Sequence, residues 1–138
     1  MSKPIEGGST AIAVSGLQAQ KKRIQILAEN IANANSTART AGGEPYRRQI
    51  PVFKVEQMGG DEGVVLSGVK ADPKPFPQAY DPGHPAANAA GYVLLPNVNS
   101  LAESLDLKQA MKAYEANLNV LDTQDAMEKA TLSILDKK

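Results

Sequence analysis

The chain has 138 residues, of which 22% are charged and 42% apolar; this sets one domain of ordinary size and excludes wholesale disorder. Fifteen basic and fifteen acidic residues cancel, so no overall field draws the chain to nucleic acid or to an anionic membrane. Cysteine is absent and aromatics make up only 4%, with no tryptophan, which excludes disulfides and thiolate chemistry and predicts a thin core.

No run of 18 apolar residues is present, so no segment reads as a membrane-spanning helix. Met1 to Thr10 carries Lys3 but neither an apolar stretch nor a cleavage site. It is not an ordinary secretory signal, so export would follow a route that cleaves none.

Gly7-Gly8-Ser9-Thr10 opens the first structured segment, with Ser9 or Thr10 as its N-cap. A helical pattern follows to about Ala34. Thr10, Leu17, Ile24 and Ile31 lie seven apart, and Ala13, Gln20, Leu27 and Ala34 fill the second heptad position. Gly16 inside this helix implies a bend or a close neighbour. Lys21-Lys22-Arg23 reads as a solvated face, with steering of an acidic partner as the alternative. Asn30, Asn33, Asn35, Ser36 and Thr37 end the helix, because short polar side chains compete with helical backbone bonds.

Residues 41–45 are loop, and Tyr46 to Val55 reads as β-like, with Pro51 pushing it to a sheet edge or splitting it. Gly59 to Gly63 is a turn, and Val64 to Lys70 the second strand of a hairpin. Asp72 to Pro85 holds five prolines, at 73, 75, 77, 82 and 85, and reads as an extended arm or rigid loop. Gly91 to Leu95 is a short third strand, and Asn99 or Ser100 caps the last helix.

That helix, Leu101 to Leu135, contains neither proline nor glycine. Leu107, Met111, Tyr114, Leu118 and Leu121 step by 4, 3, 4 and 3, one stripe along a helix. Continued, the stripe meets Asp125 and Glu128 before Leu132 and Leu135. At about 50 Å this helix is longer than a small core needs, so it is built to meet other helices. Residues 10–35 carry a net charge of +2 and residues 100–138 a net of −2, a bias that favours pairing of the two helices. Asn117 and Asn119 are poor helix-interior residues, and either fix register against a neighbour or face solvent.

The fold class is therefore α+β. Long N- and C-terminal helices (1–35 and 99–138) pack as an antiparallel coiled-coil-like pair, with a small proline-rich β insert (36–98) between them. No catalytic constellation emerges. His84 is the one histidine, and a general base or metal site needs converging partners. A proton-transfer pair of Asp81 and His84 is the enzymatic alternative, and a non-polymerising helical adaptor is another. Ser15-Gly16 lies within a helix rather than at a strand-to-helix elbow, and the glycines at 59, 60 and 63 form no phosphate loop. Arg47-Arg48 beside Tyr46 and Phe53 is weak as a nucleic-acid patch in a neutral chain. No metal and no cofactor are expected.

Ser15-Gly16-Leu17-Gln18-Ala19-Gln20, with Glu29-Asn30-Ile31-Ala32-Asn33-Ala34-Asn35-Ser36, resembles the N-terminal motif of the flagellar rod and hook proteins. Tyr46-Arg47-Arg48, Tyr80 to Pro85, Gly91-Tyr92-Val93 and Pro96 to Asn99 resemble the proximal-rod members of that family. Ala113-Tyr114-Glu115-Ala116-Asn117 is similar to its C-terminal helix motif. Met1 to Ser9 and Asp122 to Lys138 match less well. The resemblance implies a structural subunit and no enzyme. It implies export without a cleaved signal peptide and helical assembly in the periplasm into the proximal rod, part of the drive shaft. Terminal helices would line the export channel. The partners implied are copies of itself, other rod proteins including the distal rod, the membrane ring and its adaptor, and the export apparatus. The expected subunit-packing positions are Leu17, Ile24, Leu27, Asn30, Ile31, Asn33 and Asn35 on the first helix. On the last they are Leu107, Met111, Tyr114, Asn117, Leu118 and Leu121. Narrow stripes barely offset the entropy of ordering two helices, so the termini are expected to order on joining neighbours.

Overall fold

The computed structural model describes residues 5–136, with side-chain burial from residue 10. Residues 1–4 and 137–138, part of the expected segments 1–35 and 99–138, lie outside the described residues. Helix α1 spans Ile5–Ala32 and helix α2 spans Ser100–Asp136. Between them lie strands β1 (Gln49–Met58), β2 (Asp61–Ala71), β3 (Gln78–Tyr80) and β4 (Tyr92–Leu94). They form two antiparallel two-stranded sheets, β1 with β2 and β3 with β4. The fold is α+β, and no described helix is long and apolar enough to cross a membrane.

Both helix boundaries have local causes. Ser9 and Thr10 lie inside α1 rather than capping it, so the helix starts earlier than its polar residues suggest. Asn99 caps α2: its Oδ1 accepts from the Leu101 and Ala102 N–H groups at 3.1 and 3.2 Å. At the C-terminal end of α1 the Asn33 amide donates to the Glu29 carbonyl, and Ser36 donates to the Asn33 Oδ1, the local competition that stops a helix.

The hairpin turn is tighter than the expected five residues. It consists of Gly59 and Gly60 alone, with φ of 60° and 92°, the pair of positive values that a two-residue hairpin turn demands. A bulge at Val52/Phe53 shifts the register. Pro51 is tolerated because a two-stranded sheet has only edges. The proline-rich arm folds back on its own chain. Its β3 pairs with β4 in register Ala79 to Val93, Tyr80 meets Tyr92 edge-on at 5.3 Å, and the Arg47 guanidinium lies 4.2 Å from the Phe76 ring centroid.

α1 packs on α2 and on both strands of the hairpin. Asn30 meets Glu103, Gly16 meets Asn117, and Thr10 lies with Leu121 and Gln124 around one shallow depression. The numbers fall on one helix as they rise on the other, so the helices run antiparallel. The face of α2 toward α1 holds Glu103, Leu107, Ala110, Tyr114, Asn117, Leu121 and Gln124, again at steps of 4 and 3, with Glu103 and Ala110 buried and the others half-buried. This seam shares Leu107, Tyr114 and Leu121 with the expected stripe. It replaces Met111 and Leu118, which are 48% and 41% exposed, by Ala110 and Asn117. Close approach selects small side chains there: Gly16 stands opposite Asn117, and a Cβ on Gly16 would lie 3.0 Å from the Asn117 Nδ2. Gly16 is thus the site of a close neighbour. Gly16→Val should lower thermal stability by about 1–3 kcal/mol through overpacking. Adding Asn117→Ala should recover part of that loss in the same melting experiment.

The core is thin, as the composition predicts. Its apolar members are Ala13, Ala19, Ile26, Leu27, Ala86, Val93 and Ala110. Two of its three largest fully buried side chains, Glu103 and Asn30, are polar, so the junction of helices and hairpin is held by hydrogen bonds as well as apolar contact.

Candidate functional site

Two features stand out on this frame: a buried polar knot at one end of the helix pair and a set of uncovered apolar side chains around and along α2.

The knot starts from Asn30, which is 0% exposed. Its Nδ2 donates to the Gln49 carbonyl at 2.8 Å and to Glu103 Oε2 at 3.1 Å. Its Oδ1 accepts from the Tyr46 hydroxyl at 2.7 Å and the Gln49 N–H at 3.0 Å. All four capacities of the amide are used. Asn30 thereby gives β1 the two backbone bonds that another strand would give, and ties it to both helices. The Glu103 carboxylate also accepts from the Arg48 Nε, and Arg48 reaches on to Asp72 Oδ2 at 3.1 Å. Asn97 Oδ1 accepts from the Arg48 N–H, and its amide donates to the Asp72 and Lys74 carbonyls. Arg48 is therefore a structural ion-pair partner rather than part of a nucleic-acid patch.

These contacts move protonation equilibria. Burial pulls the Arg48 pKa down, but hydrogen bonds and charge from Glu103 and Asp72 hold it above its ordinary value. Burial, with Glu29 and Glu103 nearby, raises the Tyr46 phenol. The Lys74 N–H, bonding at 2.9 Å, pushes the Asp72 carboxyl below the ordinary 3.8; burial opposes this and Arg48 adds to it. A carboxylate depressed by folding contributes stability that is complete above its unfolded pKa and is lost as pH falls through its folded pKa. Urea midpoints should therefore fall as pH drops below about 4. Asp72→Asn should flatten that portion of the pH profile.

His84 sits in a turn. Its Nδ1 accepts from the Ala86 N–H at 3.0 Å, and its own N–H donates to the Asp81 carbonyl. The imidazole Nδ1 and the backbone N–H of His84 thus both serve to hold the loop. Among the described residues no group of three or more His, Cys, Asp or Glu side chains converges as a metal site.

The expected packing positions divide into three. Leu27 and Asn30 are buried inside their own chain, so the Asn30 side chain contacts its own hairpin and α2 instead of a neighbouring subunit. Leu17, Ile24, Ile31, Asn33, Leu107, Tyr114, Asn117 and Leu121 are half-buried. Met111, Leu118 and Asn35 are exposed. Besides Met111 and Leu118, α2 leaves Leu101, Leu105, Val120, Met127, Leu132, Ile134 and Leu135 open on several sides, between 48% and 73% exposed. Glu103 and Asp72 were missed as site residues. The signal for Glu103 was its position four before Leu107, which continues the seam.

A helix with this much uncovered apolar surface is suited to packing against other proteins. Comparison with known proteins gives the class. Residues 11–39 match the family "Flagella basal body rod protein", and residues 89–134 match "Flagellar basal body rod FlgEFG protein C-terminal". The chain is similar to the flagellar basal-body rod protein FlgC of Agrobacterium fabrum, with 40% identity over 92% of this chain and 93% of that protein. It is similar to FlgC of Borreliella burgdorferi, at 37% identity over 92% and 95%, and of Salmonella typhimurium, at 39% over 89% and 92%. The chain belongs to the FlgC family of flagellar basal-body rod proteins, a structural family and not an enzyme family.

Proposed function

We propose that the chain is a subunit of the proximal rod, assembling helically through its terminal helices into the drive shaft and the wall of the export channel. The observation that carries this reading is the number of large apolar side chains left open around and along α2, from Leu101 to Leu135, on a helix pair already tied together at its polar knot. In this reading residues 1–35 and 99–138 form the inner helical part as an antiparallel coiled-coil-like pair, and residues 36–98 pack further out. Met111 and Leu118, with the half-buried Leu17, Ile24, Ile31, Tyr114 and Leu121, meet neighbouring subunits. Those neighbours are copies of the chain and other rod proteins, with the membrane ring and its adaptor at the base, the distal rod above and the export apparatus as the route of delivery. The chain crosses to the periplasm without a cleaved signal peptide, and its terminal helices gain their full order on docking. The small apolar core favours passage in an unfolded state.

The test is a deletion strain with the chain restored on a plasmid. The deletion should abolish swimming and leave basal bodies without a completed rod, and the restored chain should be found in purified basal bodies. Complete rods in the deletion strain would overturn the reading.

A further inference from the structure

Residues two apart on an α-helix point to opposite sides, about 200° around its axis. In α1, Ser15 Oγ accepts from the Val64 N–H of the hairpin, and Ala19 lies with Phe53. Leu17, two residues from each, therefore faces away from the hairpin, and Ile24 and Ile31 follow it at intervals of seven. In α2, Asp106 lies with Phe53, and Val120 with Gly63 and Val64. Leu118, two before Val120, faces the other way, and Met111 lies seven before it. The side of the helix pair away from the hairpin is thus an apolar groove, lined by Leu17, Ile24 and Ile31 of α1 and by Met111, Tyr114 and Leu118 of α2. On that side the apolar run of α2 ends at Leu121. Asp122, Asp125 and Lys129 follow, all exposed, with Lys129 bridging Asp125 at 3.0 Å. The opposite side of α2 has the reverse order. The hairpin lies beside it from Asp106 to Val120. From there Val120, Thr123, Met127, Ala130 and Ile134 step by 3, 4, 3 and 4 with no charge among them, and all are exposed.

We propose that the stripe from Val120 to Ile134 of one copy seats in the groove between Leu17, Ile24, Ile31 and Met111, Leu118 of a second copy. This rests on the subunit reading above and specifies which surface meets which. The two surfaces match in length: Leu107 to Leu121 and Val120 to Ile134 each cover about 21 Å at 1.5 Å per residue. They match in kind, because a stripe stepping by 3 and 4 is what a groove between two helices takes as a third, and this stripe brings no charge into it. A level arrangement would instead set Met127 and Ile134 against Asp125 and Lys129, and would bury those charges against apolar side chains. The second copy is therefore displaced by about 20 Å along the helix axis, the distance from Tyr114 to Met127. Apolar burial supplies the affinity, and the charged segment beyond Leu121 sets the stagger. The contact joins two different patches on opposite sides of the molecule, so it runs head to tail. With an axial displacement it repeats without closing, as a filament wall needs.

The absence of native cysteine makes the test direct. In a strain whose only copy carries Met111→Cys and Met127→Cys, a short bis-maleimide applied to isolated basal bodies should give cross-linked dimers and longer chains. Within one chain the two cysteines stand about 24 Å apart along α2, beyond the reach of the reagent. Neither single variant should give dimers, because like patches do not meet. Dimers from a single variant, or none from the double variant in a swimming strain, overturn the proposal and leave the subunit reading intact. So does cross-linking of Met127→Cys with Lys129→Cys, which would place the copies level. Charge exchange decides the matter if the double cysteine variant does not swim. Met127→Glu should lose swimming with an unchanged urea midpoint of the isolated chain, and adding Met111→Lys should restore swimming; failure to restore overturns the proposal. Absence of the unaltered chain from basal bodies would instead overturn the subunit reading.

Discussion

Glu103→Leu is expected to cost about 3 kcal/mol of folding stability. The carboxylate is 2% exposed and accepts from the Arg48 Nε and the Asn30 amide. Leucine removes both acceptors at once. One proton of a fully buried amide is left without a partner, and Arg48 loses one of its two carboxylates. Breaking one side of a buried ion pair costs about 3–5 kcal/mol. The lower end applies because the Arg48 side chain is 23% exposed and keeps Asp72 at 3.1 Å. Against the roughly 5–15 kcal/mol that holds an ordinary domain, a thin-cored chain has little to spare. Urea unfolding followed by circular dichroism should show a markedly lower midpoint. Arg48→Leu combined with Glu103→Leu should cost less than the sum of the two single changes, since both break the same ion pair, while the loss of Arg48 from Asp72 is common to Arg48→Leu and the double variant. An unshifted midpoint for Glu103→Leu would mean that the knot does not hold the helices and hairpin together.

How far the sequence foretold this arrangement depends on the range of the interactions involved. The last helix was legible because a stretch without proline or glycine and with 4-3 spacing has one reading. Its facing was only half legible. Counting large apolar residues selects Met111 and Leu118, while the close approach of α1 selects Ala110 and, opposite Gly16, Asn117. A stripe of large residues does not distinguish the face used within the chain from the face left for others. The hairpin was visible through its glycines, but β3 was not, since three residues among prolines carry no period. The knot was hidden for a different reason. Asn30 and Glu103 lie 73 positions apart, and each member has a sufficient local explanation: a helix-ending asparagine, a turn aspartate, a first-turn glutamate. Only the fold converts these local roles into one network. The charge bias of the helices was correctly read as composition, but antiparallel register sets Lys21 and Lys22 at the level of Lys112 and leaves Asp122, Asp125 and Glu128 at a different level.

Leu118→Asp separates folding from assembly. Leu118 is 41% exposed and stands beside the seam rather than in it. In the isolated chain the change should alter stability by no more than about 0.5 kcal/mol, as surface substitutions do. In the rod that side chain is expected to be covered by a neighbour. A carboxylate buried there without a partner costs several kcal/mol at every subunit. The expected result is loss of swimming, with normal expression and an unchanged urea midpoint. Ala110→Asp is the counterpart. Ala110 is 0% exposed on the seam, so an acid there should unfold the chain before assembly is reached. If Leu118→Asp swims normally, this face of α2 is not a subunit contact. If it lowers the urea midpoint as Ala110→Asp does, Leu118 belongs to the fold of the single chain. Only a stable, non-swimming variant is consistent with a helix whose small residues fasten it to its own chain and whose large ones are kept for the next.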